Sequence, residues 1–270
     1  MADDIRRPVE TFTARTPRVV AASKLHRAAA RRKAGRFLVE GFNSVDAAAR
    51  AGAVREVFAT ADAADRHRGL LEFAGRPVSL IDDGAAAALA ETVTTTGLFA
   101  VCDADSALSS LDAAIAAGLD AGVLVIPVEC NDPGNAGTII RMADALGAGG
   151  VVLAGDSVDP LGGKVVRSSA GSLFSVPVAR VRDLGAVVAA VADAGFTTLA
   201  TTMEADTILG RDALPEEPVA WLFGNEAHGL PADVLAGAGR RVSIPIRGGA
   251  ESLNLATAAA MCLWETARGR

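Results

Sequence analysis

Three short segments of the chain combine polar side chains with glycine directly after apolar runs. Loop 1 is ECNDPGNAG (129–137), loop 2 is LFGNEAHGLP (222–231) and loop 3 is IPIRGGAESLN (244–254). Ligands of open α/β sheets bind beyond the carboxyl ends of strands, where main-chain groups and polar side chains meet. Asp-Pro, Gly-Asn and Gly-Gly are also ordinary cap and turn sequences. Three such segments in one half of the chain nevertheless favour a shared ligand site.

Other familiar chemistries are not supported by the residue pattern. No G-x-G-x-x-G follows an apolar run, and GGKV (162–165) lacks the Ser/Thr and the spacing of a P-loop. The three histidines, His26, His67 and His228, are scattered, so we predict neither a catalytic triad nor a metal site. Cys130 could be a nucleophile, but no histidine is a suitable partner. A small buried residue at a strand end is the favoured interpretation.

Apolar runs alternate with helical stretches along the whole chain, which predicts an α/β fold in two parts. In the first part, RVVAASKLHRAAARRKA (18–34) reads as one helix, and strands are predicted at 37–41, 54–60, 77–81 and 97–103. In the second part, strands are predicted at 122–128, 150–155, 172–178, 196–201, 218–224 and 241–246, and the last helix at about 252–267. Segment 104–121 has no clear strand. We therefore predict domains at 1–104 and 122–270, joined by a linker at 105–121.

The composition is that of a globular protein: 270 residues, half of them apolar and a fifth charged. Three separate cysteines without a CxxC pair favour a reducing compartment. No apolar run reaches the ~18 residues that span a bilayer, and the charged start MADDIRRPVE does not resemble a secretion signal. We expect a cytoplasmic protein without a membrane partner.

The charges are distributed unevenly. Residues 1–36 hold ten Lys and Arg against three Asp and Glu, whereas the remainder holds sixteen against twenty-nine, so that +7 and −13 give the net charge of −6. A basic arm (1–36) on an acidic body is expected of a segment that binds phosphates. A solvated, arginine-rich helix explains the same pattern equally well.

Loops 1 to 3 with their flanking elements carry a specific resemblance. NDPGNAGTIIRMADALGAGGVVL, LFGNEAHGLP and SIPIRGGAESLNLATAAAMCLWE resemble, in order and spacing, the three motifs of the SpoU (TrmH-type) branch of the SPOUT RNA methyltransferases. This likeness spans about residues 122–268. Upstream, KLHRAAARRKAGRFLVEGFNSVDAAA is similar to the small substrate-binding domain of that family, which has the fold of ribosomal protein L30e.

The resemblance implies a fold and a reaction. Family members transfer the methyl group of S-adenosylmethionine to a ribose 2′-oxygen of RNA, without a metal. Their catalytic domain is a parallel sheet with a deep trefoil knot, and they form homodimers through the knotted domain. A first α/β domain that selects the RNA and a second, knotted α/β domain that holds the cofactor are therefore expected.

The resemblance also assigns candidate residues. It implies a catalytic set of Asn135, Arg141, Glu226, Ser252 and Asn254, and a cofactor pocket of Leu222, Phe223, Gly224, Ile244, Ile246 and Leu253. Arg141 is the central residue, and two roles stay open for it. It could act as a base once it meets an RNA phosphate, or it could clamp that phosphate, because a guanidinium is effectively always protonated. Asn135 would hold Arg141 or the ribose, Glu226 would fix its loop or orient Arg141, and Ser252 and Asn254 would tie loop 3 to loop 1.

RNA contacts are expected from basic side chains of the arm and from one in the segment GGKVVRSSAG, namely Lys24, Arg27, Arg31, Arg32, Arg36 and Arg167. Lys24, Arg27 and Arg31 could share one face of the predicted helix. The chain has no tyrosine and only 4% aromatic residues, which disfavours a stacking platform for single strands. Recognition of a structured RNA by shape and backbone is the expectation.

The leading hypothesis is therefore a 2′-O-ribose methyltransferase acting on 23S rRNA, with tRNA as the alternative substrate. A catalytically idle RNA-binding or ribosome assembly factor on the same fold is the second hypothesis, and the intact polar set speaks against it. A Rossmann-type nucleotide enzyme is opposed by the missing glycine fingerprint.

Overall fold

A computed structural model describes residues 11–269, so the first ten residues of the predicted basic arm lie outside the described part. The chain divides into two compact units that meet between Ser106 and Ala107. The predicted linker differs from the structure in its second half. Residues 111–121 form a helix of the second unit, in which Ala114 and Ile115 are buried.

The first unit contains a four-stranded mixed sheet in the order β1-β4-β2-β3. Its strands are β1 (Arg36–Glu40), β2 (Val54–Ala59), β3 (Val78–Leu80) and β4 (Leu98–Asp103). Strand β4 is antiparallel to both of its neighbours, and β2 and β3 are parallel. The helices are α1 (Pro17–Ser23), α2 (Ala28–Ala34), α3 (Phe42–Arg50), α4 (Ala61–Arg66), α5 (Arg68–Ala74) and α6 (Asp83–Leu89).

The single helix predicted at 18–34 is wrong. A short 3-10 turn (Lys24–His26) separates α1 from α2, and Arg27 has extended backbone angles (φ −90°, ψ 127°). The break is stabilised by the buried side chain of Arg31, whose Nη1 donates to the carbonyl oxygens of Leu25 (2.9 Å) and His26 (2.8 Å). Lys24, Arg27 and Arg31 therefore do not share one helical face.

The described part of the basic arm, residues 11–36, contributes side chains to the core of this unit. Val19, Ala22 and Leu25 are buried in a cluster with Phe58 and Phe99. Removing residues 1–36 would take these side chains out of the core, at a cost of about 2–5 kcal/mol for a large buried aliphatic side chain such as that of Leu25.

The second unit is built on a parallel seven-stranded sheet in the order β7-β6-β5-β10-β8-β11-β9. Its strands are β5 (Val123–Pro127), β6 (Gly150–Ala154), β7 (Val178–Val181), β8 (Thr197–Thr201), β9 (Thr207–Ile208), β10 (Val219–Phe223) and β11 (Arg240–Ser243). The predicted α/β class is confirmed. The strand expected at 172–178 begins only at Val178, after Pro177, because proline has no N–H for the ladder.

The helices of the second unit are α7 (Leu111–Ala121), α8 (Pro133–Ala145), α9 (Gly163–Ser169), α10 (Leu184–Asp193), α11 (Ala232–Gly237) and α12 (Leu255–Arg268). Helix α8 packs against both α9 and α12. At the contact with α9, a Cβ on Gly137 would lie 2.4 Å from the carbonyl oxygen of Val165, so the two helices approach closely where only glycine fits.

The strand order places β10 in the middle of the sheet, between β5 and β8. All five residues of β5 and all five of β10 are buried, as expected of parallel strands covered on both faces. The trefoil knot stays a prediction, since strand order alone does not show a threaded chain. No helix within residues 11–269 is long and apolar enough to cross a membrane.

Candidate active site

Loop 1 leads from β5 into the first turn of α8. Asp132 caps this helix, because its Oδ1 accepts a hydrogen bond from the backbone N–H of Asn135 (2.8 Å), and Pro133 occupies the first helical position. That bond, together with Lys164 (Nζ to Oδ2, 3.3 Å), holds the pKa of Asp132 below its usual range. The cap fixes where Asn135 emerges.

Loop 2 leaves β10 through a tight turn. The N–H groups and carbonyl oxygens of Asn225 and Gly229 are bonded to each other (3.0 and 2.8 Å), and a Cβ on Gly224 would lie 2.3 Å from the carbonyl carbon of Gly229. The buried side chain of Asn225 donates from Nδ2 to the carbonyl oxygen of Glu129 (2.8 Å), which ties loop 2 to loop 1. Glu129 itself has a left-handed backbone (φ 51°), which is uncommon outside glycine.

Loop 3 ends at the cap of α12. The Oδ1 of Asn254 accepts a hydrogen bond from the N–H of Thr257 (3.2 Å), so the helix begins at Leu255, three residues later than predicted. Ser252 is exposed and does not cap the helix.

The three loops converge on the side-chain amide of Asn135. Its Nδ2 donates to Oε1 of Glu226 in loop 2, and its Oδ1 accepts from Nδ2 of Asn254 in loop 3 (2.9 Å). One half-buried amide therefore joins residues that are 91 and 119 positions apart in the sequence. Three members of the predicted catalytic set are in direct contact.

A cavity of about 440 Å³ opens beside this junction. Of the predicted cofactor residues, Gly224, Ile244, Ile246 and Leu253 line it, and so do Glu226 and Ser252. Its walls are largely apolar, and its size lies in the range of pockets that hold small molecules.

Two predicted cofactor residues are placed elsewhere. Leu222 lies in the hydrophobic core, and Phe223 is fully buried and stacked on Trp221 with ring centroids 5.8 Å apart. Successive residues of a central strand point to opposite faces of the sheet, and both faces of β10 are covered. Neither side chain lines the cavity.

The contribution of β8 to the cavity lies outside the predicted cofactor set. The last residue of this strand, Thr201, and the three that follow it line the cavity, namely Thr202, Met203 and Glu204, as do His228, Leu230, Leu235, Val242 and Leu255. The signal was available, because FTTLAT was predicted as a strand and ligands bind beyond the carboxyl ends of parallel strands.

Arg141 lies on α8, six residues after Asn135, which places it about 9 Å further along the helix and about 120° around it. Its side chain is exposed and makes no hydrogen bond or ion pair with any residue between 11 and 269. The predicted contacts of Asn135 or Glu226 with Arg141 are therefore not formed here. The guanidinium is available to a molecule that approaches from outside.

Cys130 is not suited to nucleophilic chemistry. Burial raises the pKa of its thiol to about 12, with a further contribution from the carboxylates of Glu226 and Asp132. The thiolate is the nucleophilic form, and it is not populated near neutral pH. In the part of the chain that the structure describes, no group of three or more His, Cys, Asp or Glu is arranged to hold a metal ion.

The predicted RNA-binding residues differ in accessibility. Four of them are exposed: Lys24, Arg27, Arg32 and Arg36. The Nε of Arg36 lies 3.9 Å from Oδ1 of Asp103. Arg167 is half-buried on α9. Arg31 is buried and bonded to main-chain carbonyl oxygens, so it supports the bend between α1 and α2.

Two family models match the chain. The SpoU rRNA Methylase family matches residues 122–264, and the MRM3-like substrate binding domain matches residues 16–100. Both matches agree with the resemblance seen in the motifs.

Individual relatives extend over nearly the whole chain. The 23S rRNA (guanosine(2553)-2′-O)-methyltransferase RlmP of Bacillus subtilis (strain 168) is 31% identical over 245 residues, which is 89% of this chain and 92% of that protein. The AdoMet-bound rRNA methyltransferase from Sinorhizobium meliloti has a similar structure, with a TM-score of 0.82 at 28% identity over 96% of this chain and 98% of that one.

A second similar structure is the SpoU methyltransferase AviRb from Streptomyces viridochromogenes in complex with the cofactor AdoMet. Its TM-score is 0.81 at 32% identity, and the match covers 94% of this chain and 98% of that one. The two family models and these full-length matches show that the chain belongs to the SpoU rRNA Methylase family.

Proposed function

We propose that this protein transfers the methyl group of S-adenosylmethionine to a ribose 2′-hydroxyl of ribosomal RNA. The observation that carries the proposal is the junction at Asn135, where polar residues of three loops meet at the edge of a largely apolar cavity. The names of the relatives support the same reaction, since two are rRNA methyltransferases, one of these is a 2′-O-methyltransferase, and two relatives have structures with AdoMet.

The cavity fits the cofactor by size and chemistry. Leu230, Ile244, Ile246, Leu253 and Leu255 offer apolar surface for an adenine ring. Gly224 lines the cavity, and the backbone of Gly229 fills the space of a Cβ there, so a glycine is needed to keep the turn of loop 2 closed beside the ligand. When bound, S-adenosylmethionine supplies a methyl group that is already activated on a sulfonium, so no metal is needed for its transfer.

The protein then has two tasks, which are orientation and charge control. A ribose must be held with its 2′-oxygen in line with the methyl–sulfur bond, and such positioning alone lowers barriers substantially. The amides of Asn135 and Asn254 and the hydroxyl of Ser252 border the site and can hold ribose oxygens. The carboxylate of Glu226 fixes the Asn135 amide through a charge-assisted hydrogen bond.

Arg141 is proposed as the residue that meets the RNA backbone. It is cationic and exposed, and the structure gives it no partner within residues 11–269. A guanidinium can clamp a phosphate with two parallel hydrogen bonds, which would place the adjacent ribose. The alternative role as a base, after contact with a phosphate, also requires this side chain.

We further propose that the protein forms a homodimer through the second unit. Helix α12, which packs on α8, exposes Trp264 (60%) and Met261 (42%), and large exposed apolar side chains next to each other mark an interface. A homodimer would cover this face. The predicted cytoplasmic location accompanies the proposal and stays a prediction.

Ribosomal RNA is favoured over tRNA by the names of the relatives. Tritiated S-adenosylmethionine, the full-length protein and either purified rRNA or purified tRNA would test this choice. We expect label in rRNA, and loss of at least about 100-fold in rate for Arg141→Ala with the Kd for cofactor within a few-fold of wild type. Arg182→Ala, an exposed arginine of the same unit, is the matched control. Label in tRNA alone would contradict the substrate assignment, and an unaffected Arg141→Ala variant would contradict the site.

A further inference from the structure

A carboxylate lies on the cavity wall without an assigned role. Glu204 follows β8 and lines the cavity, and its exposed side chain has no hydrogen bond or ion pair with any other residue in the range 11–269. Its backbone is held in place, because its N–H donates to Oγ1 of Thr202 (3.3 Å) and the N–H of Thr202 donates to the carbonyl oxygen of Val242 (3.0 Å). Glu204 is thus an anchored and unpaired hydrogen-bond acceptor that borders a ligand cavity.

The sheet order fixes where Glu204 lies relative to the reacting groups. Along the carboxyl edge, the order of strands is β5, β10, β8 and β11. The junction of Asn135 with Glu226 is on the side of β5 and β10. Glu204 follows β8, so it lies on the side of the cavity away from Asn135 and Arg141.

The chemistry on that side fits the nucleoside part of the cofactor. Leu235 and Val242 extend the apolar surface available to adenine towards β8 and β11, and the ribose is bonded directly to that ring. The two oxygens of one carboxylate can accept hydrogen bonds from two neighbouring hydroxyls, as acidic residues do for the ribose of dinucleotides. The amino-acid arm is a poorer fit on that side, because its own carboxylate would lie near that of Glu204, and no Lys or Arg lines the cavity within residues 11–269 to offset the two negative charges.

We propose that Glu204 is a cofactor-specificity residue whose carboxylate accepts hydrogen bonds from the 2′- and 3′-hydroxyls of the ribose of S-adenosylmethionine. This inference rests on the proposed function, because it assumes that the cavity holds that cofactor. The residue touches the nucleoside and not the reacting methyl group, so it should affect cofactor affinity and leave the rate at saturating cofactor nearly unchanged.

Calorimetric titration of the full-length protein tests the proposal with three probes: S-adenosylhomocysteine, 5′-methylthioadenosine, and the 3′-deoxy form of S-adenosylhomocysteine. 5′-Methylthioadenosine keeps the ribose hydroxyls and lacks the amino-acid arm. Glu204→Gln should raise the Kd of the first two probes by a similar factor of about 10, the range of a hydrogen bond to a charged group. Wild type should bind the 3′-deoxy probe about 10-fold more weakly than its parent, and the variant should not discriminate between them.

The outcomes are separable. Glu216→Gln, at an exposed glutamate that does not line the cavity, should match wild type in every titration. If Glu204→Gln weakens the binding of S-adenosylhomocysteine and leaves the binding of 5′-methylthioadenosine unchanged, the carboxylate contacts the ammonium group of the amino-acid arm and the proposal is wrong. Unchanged binding of both probes, or persistent discrimination against the 3′-deoxy probe, also overturns it. If wild type binds neither of the first two probes, the proposed function itself fails.

Discussion

Replacing Asn135 by alanine removes a side chain that joins all three loops. The variant loses a hydrogen bond to the carboxylate of Glu226 and another to the amide of Asn254. Hydrogen bonds to charged groups contribute about 1.5–3 kcal/mol and neutral ones about 0.5–1.5 kcal/mol. Since Glu226 and Asn254 are exposed, the lower ends apply, and the sum is about 2 kcal/mol. If this energy orients the reacting groups, kcat/KM should fall about 30-fold.

The cap of α8 does not depend on the Asn135 side chain, because Asp132 bonds to the backbone N–H of residue 135. The variant should therefore stay folded, and its cofactor Kd should rise only a few-fold. Initial rates of methyl transfer at varied RNA concentration, with calorimetric titration of S-adenosylmethionine, separate the two effects. Asn131→Ala, at an exposed asparagine of the same loop, is the matched control.

The double variant of Asn135 and Asn254 gives a second check. Because the two side chains act through one bond, the combined loss should be smaller than the sum of the single losses in free energy. A rate for Asn135→Ala within two-fold of wild type would refute the reasoning that this junction organises the site.

Three further predictions follow from particular residues. Gly224→Ala should lower the cofactor affinity measured by titration at least about 10-fold, because its Cβ would lie 2.3 Å from the backbone of Gly229. Gly237→Ala is the control and should keep the wild-type affinity, because the space around its Cβ is open. Equal affinities of the two variants would contradict the tight turn. Burial raises the pKa of Cys130 to about 12 from an ordinary value of 9.0, so the contribution of the protonated thiol to stability is present below pH 9 and is lost as the pH rises through that interval. The free energy of unfolding, measured with denaturant between pH 8 and 11, should therefore decline less steeply with pH for Cys130→Ala than for wild type. Identical slopes for the two proteins would refute the assignment. Replacing four exposed basic residues of the first unit by alanine should weaken RNA binding: Lys24, Arg27, Arg32 and Arg36. The slope of log affinity against log salt concentration should become shallower by up to about 3, since each cation neutralises about one phosphate. Filter binding at several salt concentrations measures this slope, and an unchanged slope would show that these residues do not contact the RNA.

Much of the second unit could be predicted from the sequence because local signals were strong. The apolar runs at β5 and β10 are those of strands covered on both faces, and Asp132 with Pro133 predicts the start of α8. The motif resemblance then brought Asn135, Glu226 and Asn254 into one site. Their contacts link residues far apart in the chain, and the spacing of residues alone does not reveal such contacts.

The errors have physical causes that act at longer range. The arginine-rich segment before β1 favours a helix locally, but burial of Leu25 and of the Arg31 guanidinium produces a bend at Arg27. Phe223 belongs to the second motif, yet a central strand buries both of its faces. Helix α7 consists of small and acidic residues that resemble a linker, but its Ala114 and Ile115 pack on the sheet.

The position of the transferred methyl group tests the central claim most directly. After reaction of rRNA with tritiated S-adenosylmethionine, alkaline hydrolysis distinguishes ribose from base methylation, because a 2′-O-methyl group blocks cleavage of the adjacent phosphodiester. We predict that the label is recovered in alkali-resistant dinucleotides, and that Arg141→Ala yields none. Label recovered in mononucleotides as a methylated base, or no transfer by wild type to any RNA, would contradict the assignment of the Asn135 junction as a 2′-O-methyl transfer site.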